Sequence, residues 1–368
     1  MHGKEPVRRV IAMVPAHNEE DSIGATIAAL LDQTRVPDEI YVIADNCTDD
    51  TYEVARVFKA YSSRVRVVKT IGNTLKKPGA MNWAWNRFCQ NADVLVTLDA
   101  DTVLPPNAVA DWCAEFEDDP KLGGSSSKFT MLGDDVLTRL QRYEFARWTY
   151  TGLKRGWTSV LAGTGCAIRN DVLKTVANRS DRDGPWFYDS KVEDFELTYR
   201  IREMGYYCHV SPTVRAYTDA MKTVKSLWNQ RMKWQCGTVE DLLRFGINKY
   251  TRIDWAQQAL GLFAAFVRFM WPALIIVALL TDNFQFIWWW LLPTVLFVIN
   301  DTRMATLIPH CDRKDRLLAA SFVPGEFFAY MRAAWFIAAW HSIFMERLTG
   351  NKKDRWAMQY SAEAEGGR

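Results

Sequence analysis

Two aspartates spaced one residue apart, Asp99 and Asp101, follow the apolar run Asp93–Leu98. That run is rich in Val and Leu, as a buried strand should be. In an extended backbone, residues i and i+2 point the same way and stand roughly 6–7 Å apart. Carboxylates so placed repel each other unless a cation lies between them. A hard divalent ion, Mg2+ or Mn2+, suits two carboxylates completed by phosphate oxygens. It would stabilise the charge that builds on a leaving diphosphate. Asp-x-Asp is weak by itself; its place at a strand end gives it weight. Asp99 and Asp101 are therefore the predicted metal ligands. Lys76-Lys77-Pro78-Gly79-Ala80-Met81-Asn82 sets an ammonium beside the predicted start of a helix at Ala80, a favourable place for a phosphate. A surface loop with two lysines accounts for it equally well.

These groups need elements to hold them. Val10–Val14, Ile40–Ala44, Val65–Val68 and Val94–Leu98 are short, apolar and rich in Val and Ile, which predicts buried parallel strands. Asp21–Gln33, Thr51–Tyr61 and Ala80–Gln90 lie between them with helical periodicity. Strand–helix alternation predicts a doubly wound α/β sheet, in which ligands bind beyond the carboxyl ends of the strands. The residues there are Pro15-Ala16-His17-Asn18-Glu19, Asp45 to Asp50, and Asp99-Ala100-Asp101. Helix capping accounts equally well for Asn18 and Asp49, but not for Asp45 or Asp99.

Pro15-x-x-Asn18-Glu19, Asp45, Lys77-x-Gly79-x-x-Asn82 and Asp99-x-Asp101, in this order and spacing, resemble the inverting family-2 glycosyltransferases of GT-A fold. Lys191-Val192-Glu193-Asp194 resembles the family's Glu-Asp base motif. Gln230-Arg231-Met232-Lys233-Trp234 resembles the Q-x-x-R-W motif of its membrane-associated, often processive members: the cellulose, chitin and hyaluronan synthases. The resemblance covers about residues 8–245. It implies an α/β, Rossmann-like GT-A nucleotide-diphospho-sugar transferase domain. Pro15, His17, Glu19 and Asp45 would line the base and ribose. Lys77 would face the diphosphate, and Asp99 and Asp101 would hold nucleotide and metal. Gly163-Thr164-Gly165 matches the turn that borders the acceptor, with Glu193, Gln230, Arg231, Lys233 and Trp234 as further acceptor-binding residues. Asp194 would be the general base. The donor implied is a nucleotide diphosphate sugar, a UDP-sugar first among them, and the acceptor a glycan or lipid-linked hydroxyl.

Inversion by single displacement needs one carboxylate to take the proton from the attacking hydroxyl. Asp194 opens the helix-like run Phe195–Met204; a helix N-terminus favours its ionised form, and the neighbouring Glu193 opposes it. Met221–Phe245 reads as an amphipathic helix with Gln230, Lys233 and Trp234 at i, i+3 and i+4, on one face. The motif's usual Arg is Lys233 here, a point donor instead of a fork.

Composition then changes. Residues 255–345 carry 11 charged side chains, less than half the density of the first 254 residues. The apolar segments are Leu260–Leu280, Phe284–Ile299 (extended to about Ile308) and Phe322–Phe344. The first two predict a hairpin turning at Thr281–Asn283. Arg268, Glu326, Arg332 and His341 interrupt the first and third. Basic residues after the second segment and in the tail both favour the cytoplasm, which one intervening span cannot satisfy. The third segment is therefore expected to be re-entrant, interfacial, or bent at Pro324-Gly325, with Arg332 needing a carboxylate, lipid phosphate or glycan partner. The expected domains are 1–220 (catalytic), 221–254 (amphipathic interfacial helix), 255–346 (membrane helices) and 347–368 (a basic, flexible tail). The expected location is the inner membrane, with the catalytic domain cytoplasmic and membrane lipid a partner. Few spans imply either that the product stays on one side or that subunits assemble as a homo-oligomer.

A net charge of +2 gives no footprint for nucleic acid. Seven scattered cysteines without a C-x-x-C pair suggest neither a disulfide framework nor a zinc site. The N-terminus has no apolar leader core. Two other readings fit parts of the pattern: a non-processive transferase acting on a lipid carrier or protein, and a membrane scaffold with a degenerate GT-A fold.

Overall fold

The computed structural model describes residues 6–366; the expectation of no leader falls partly on residues 1–5, outside that range. The chain divides into two compact units, Met1–Leu132 with Trp148–Asp219, and Gly133–Arg147 with Ala220–Arg368.

The first unit contains β1 (Val10–Ala16), α1 (Ile23–Leu31), β2 (Glu39–Ala44), α2 (Thr51–Tyr61), β3 (Val65–Lys69), α3 (Lys76–Ala84), β4 (Val94–Thr97), α4 (Ala108–Asp118) and β5 (Leu122–Met131). After α5 (Val136–Arg155), through which the division passes, come β6 (Cys166–Arg169), α6 (Asn170–Ala177), α7 (Glu193–Glu203) and β7 (Tyr207–Thr218). One seven-stranded sheet has the order β3-β2-β1-β4-β6-β5-β7. The four predicted strands form its parallel part, with Val14 opposite Val42 and Met13 opposite Thr97. The sheet as a whole is mixed, not all parallel: β6 runs antiparallel to β4 and β5, and β7 runs parallel to β5. Beneath the strand ends lies a core of Met13, Ile43, Trp85, Leu95, Ile168 and Leu197, all nearly inaccessible.

Two local departures matter for the site. The helix expected from Ala80 starts at Lys76, because Pro78 falls in its first turn, where a missing N–H has no intrahelical partner to lose. The Asp99–Asp101 pair is not extended: β4 ends at Thr97, and Thr102 N donates to Asp99 O (3.2 Å) across a turn. Turn geometry, not strand alternation, brings the two carboxylates near each other.

The second unit is helical: α8 (Val224–Phe245), α9 (Arg252–Leu280), α10 (Leu291–Ala305), α11 (Arg313–Ala320), α12 (Phe322–Thr349) and α13 (Arg355–Gly366). A Thr223–Ser226 capping box starts α8. Its apolar face, with Leu227, Met232, Cys236 and Val239, packs on Phe328, Trp335, Ala339 and Ile343 of α12. Among the described residues, α9 is the one helix long and apolar enough to cross a membrane, and only 6% of its apolar window is buried. Asp282, with φ 53°, lies in the expected turn after it. The helix is not interrupted at Pro324-Gly325: α12 is continuous, and Pro324 sits in its first turn. The stretch read as a flexible tail contains α13, tied down by buried Arg355, which bonds Glu346 and Ser342 of α12.

Candidate active site

The loops after β1 and β2 are tied together. Thr48 N donates to Asn18 Oδ1 (2.8 Å), and Glu20 N donates to Asp49 Oδ2 (3.1 Å). Asn18 and Asn46 adopt left-handed backbone with φ 56° and 51°, a conformation Asn tolerates better than most residues. Asn18 caps no helix. Asp49 does accept from Thr51 N and Oγ1 at the start of α2. His17 Nδ1 lies 2.7 Å from Asp45 O, and Ser22 Oγ donates to the Glu19 carboxylate at 2.8 Å.

The Asp45 carboxylate is buried and held by Thr70 Oγ1 (2.5 Å) and by Asn73 Nδ2 (2.9 Å to each oxygen). Asn73 reaches it because residue 79 has no side chain: a Cβ on Gly79 would lie 2.3 Å from Asn73 Oδ1. Thr70 and Asn73 were missed in the sequence, since neither belongs to a motif there.

Lys77, in the first turn of α3, spans two carboxylates. Its Nζ donates to Asp99 Oδ1 at 2.6 Å and stands 3.4 Å from Glu193 Oε1. Burial alone would depress its pKa; the charges of Asp99 and Glu193 overcome that and raise it well above the ordinary lysine range. Pro15, Lys77, Gly163, Trp186, Glu193 and Asp194 line one cleft. A Cβ on Gly163 would come within 3.0 Å of Lys77 Nζ and 3.6 Å of Asp99 Oδ2, so the turn at 163–165 runs against the ion pair. Thr164 Oγ1 is buried there without a hydrogen-bond partner among the described residues. Asp194 lies in the first turn of α7, directly after Glu193, and its Oδ1 accepts from Phe195 N at 2.8 Å. The N-terminal helix dipole there favours a carboxylate.

Neither Asp99 nor Asp101 lines that cleft; Asp99 adjoins it through its ion pair with Lys77. Burial, with the charges of Asp99, Glu19 and Asp219, pushes the Asp101 pKa up to about 7. Asp219 was also missed: it directly follows β7, whose Tyr217 bridges Val103 beside the Asp-x-Asp turn. Among the described residues, no three His, Cys, Asp or Glu side chains form a metal cage. A crowd of hard oxygen donors with excess negative charge still fits a divalent cation whose remaining ligands come from phosphate and water. Asp99 and Asp101 would hold it.

In the helical unit, the Gln230–Trp234 motif splits between two settings. Arg231 donates to Gln230 Oε1 (2.5 Å) and Glu144 Oε2 (2.9 Å), and its guanidinium lies 4.5 Å from the Trp234 ring. Lys233 is buried and sits 3.4 Å over the Trp356 ring of α13. Gln230, Lys233 and Trp234 keep their i, i+3, i+4 spacing in α8, but the side-chain contacts join Arg231 to Gln230 and to Trp234, while Lys233 meets Trp356. Glu144 also takes Arg332 (3.2 Å), the carboxylate partner that residue needed. Burial would raise the Glu144 pKa; the two guanidiniums hold it below the usual carboxylate range.

A family model described as "Glycosyltransferase like family 2" matches residues 7–237. The "Probable glycosyltransferase YdaM" of Bacillus subtilis (strain 168) is 29% identical over 247 residues, 64% of this chain and 57% of that protein. The poly-β-1,6-N-acetyl-D-glucosamine synthase of Staphylococcus aureus (strain MSSA476) is 26% identical over 233 residues, 63% of this chain and 55% of that protein. The chain thus spans a little over half the length of these curated relatives. A solved mannosyltransferase from Pyrobaculum calidifontis, in complex with GDP-Man and Mn2+, is similar over 95% of this chain and 89% of its own, with TM-score 0.62 and 18% identity. That likeness extends to the fold, a GT-A-like α/β domain followed by helices. Matched by the model over well more than half its length, the chain belongs to the family-2 glycosyltransferases, enzymes that transfer a sugar from a nucleotide sugar.

Proposed function

We propose that this enzyme transfers the sugar with inversion to a glycan or lipid-linked hydroxyl at the cytoplasmic face of the inner membrane. The observation that carries the proposal is the cleft in which Lys77, ion-paired to Asp99 and Glu193, shares walls with Asp194. Asp194 takes the proton from the incoming hydroxyl, while Lys77, on the Asp99 side, meets the departing diphosphate. A Mg2+ or Mn2+ ion held by Asp99 and Asp101 would supply further charge stabilisation to that diphosphate. Asp45, fixed by Asn73 and Thr70, with Pro15, His17 and Glu19, takes the nucleoside end. Gly163 and the unpartnered Thr164 hydroxyl face the acceptor, with Glu193 beside them. Gln230, Arg231 and Trp234 form an aromatic–guanidinium platform for a sugar chain. The donor is a UDP-sugar. The synthases among the relatives favour polymer extension over addition of a single residue. The exposed apolar surface of α9, with Leu260, Phe263 and Phe266 each more than half accessible, supports seating in lipid.

Replacing Asp194 with Asn tests the reading. Transfer should fall by about 10²–10⁴-fold while UDP binding, measured by calorimetry, is retained. Equal loss of both would make Asp194 structural and overturn the assignment.

A further inference from the structure

Residues 178–192 join α6 to α7 without strand or helix of their own. Connections longer than about 12–15 residues are uncommon in compact domains and, when ordered, usually functional. Two buried clamps order this one. Asn82, fully buried, grips Trp186 by its backbone: Nδ2 donates to Trp186 O at 2.7 Å, and Oδ1 accepts from Trp186 N at 3.0 Å. A Cβ on Gly184 would stand 2.4 Å from Asn82 Oδ1, so only glycine lets the loop close over the amide. The second clamp is a bidentate ion pair, Arg182 to Glu196 at 2.7 and 3.2 Å, with both side chains 1% exposed. Arg182 also donates to Pro185 O at 3.0 Å, one residue before Trp186.

What the clamps fix is an indole. Trp186 is 3% exposed and lines the cleft that also holds Lys77, Gly163, Glu193 and Asp194. An indole is a large apolar surface with few rotamers, and here its backbone is pinned on both sides. A wall that cannot retreat excludes by size, and a single methylene in such a pocket changes selectivity about 10–200-fold. We infer that Trp186 is the specificity-determining wall of the sugar subsite, setting how large a substituent the transferred sugar carries. This rests on the reading of the Asp194 cleft as the site of transfer.

The test uses the full chain purified in detergent, with UDP-hexose and UDP-N-acetylhexosamine as probes and UDP release as the readout. Trp186→Phe and Trp186→Leu should shift the ratio of kcat/KM for the bulkier to the smaller donor upward by about tenfold or more, with UDP affinity within twofold of wild type. An unchanged ratio in variants with intact melting and UDP binding overturns the inference. Should the Leu variant fail to fold, 5-fluorotryptophan NMR decides. The Trp186 resonance, identified by its absence from the Trp186→Phe spectrum, should move with the UDP-sugar and not with UDP. A resonance that ignores the sugar overturns the inference as well. Asp194→Asn runs alongside: full transfer by that variant removes the cleft reading and the inference with it. Its loss of transfer, combined with an unchanged donor ratio, removes the inference alone.

Discussion

The Arg182–Glu196 pair should behave as a buried charge pair in a double-mutant cycle. Glu196→Leu strands Arg182, which keeps Pro185 O, the half-exposed Asp181 (3.3 Å) and the Phe187 ring (5.2 Å) as partners. Leaving a buried charge uncompensated costs about 3–5 kcal/mol. Arg182→Met is milder, because Glu196 still accepts from Arg200 Nε at 2.9 Å; the loss is nearer the about 1.5–3 kcal/mol of one charged hydrogen bond. Removing both charges together puts apolar groups of similar volume in their place, which is often close to neutral. The singles therefore over-add, and the coupling energy should be about 2 kcal/mol or more. At about 2–4 °C per kcal/mol for a unit of this size, Glu196→Leu should lower the melting temperature by roughly 10 °C, and the double variant should recover much of it. Thermal melting of the four proteins in one detergent measures this. A double variant that falls by the sum of the singles would show that no uncompensated charge was involved, and the clamp argument would fail.

Three further outcomes are expected. Chelation with EDTA should stop transfer, and Mg2+ or Mn2+ should restore it; full activity in chelator would exclude Asp99 and Asp101 as ligands. Gly79→Ala, whose Cβ would meet Asn73 Oδ1 at 2.3 Å, should displace Asn73 from Asp45 and weaken UDP binding by about tenfold, the equivalent of one modest hydrogen bond; unchanged affinity would separate Asp45 from the nucleotide. Burial raises the Glu115 pKa, but hydrogen bonds from His209, Ser125 and Ser211 overcome it and hold the carboxyl below the usual carboxylate range. A depressed folded-state pKa gives stability that is present above the unfolded value and lost as pH falls through the folded one. Wild type should therefore lose melting temperature below about pH 4.5 more steeply than Glu115→Gln; parallel acid limbs would count against that network.

Half the catalytic unit was legible because its signals are local. Thr51–Tyr61 reads as α2 to the residue, since its apolar spacing needs nothing from elsewhere in the chain. The other half of the sheet was hidden. The β5 segment Leu122–Met131 is mostly Gly, Ser and Thr, so neither an apolar run nor alternation marks it, and with it unseen the antiparallel β6 could not be placed. The same logic divides the site. Asp99, Lys77 and Asp194 sit in motifs, whereas Asp219 stands alone after β7. Trp186 becomes a cleft wall only through Asn82, more than a hundred residues away. Long-range pairing of this kind leaves no periodicity to read.

The charges that spoiled the apolar segments are the clearest case of pairing overriding composition. Arg268 in α9 and Glu326 in α12 each interrupt an apolar run when counted singly, yet they bond to each other. Tyr330 reinforces the contact, its hydroxyl donating to Arg268 O at 3.3 Å and its ring lying 5.7 Å from Phe269. Paired, the two ions present far less charge to an apolar surrounding than either would alone. The two helices nevertheless differ in kind. α9 buries only Asp254, Gln258 and Ala265, so most of its apolar surface is exposed. α12 spends one face on α8, through Phe328, Trp335, Ala339 and Ile343, and turns Arg332 to Glu144. A helix with one face packed on an amphipathic neighbour and its charge internally matched has less reason to cross a bilayer than to lie against it. An α12 lying on the bilayer would leave the basic residues at both its ends on one side of the membrane, as the charge bias asks.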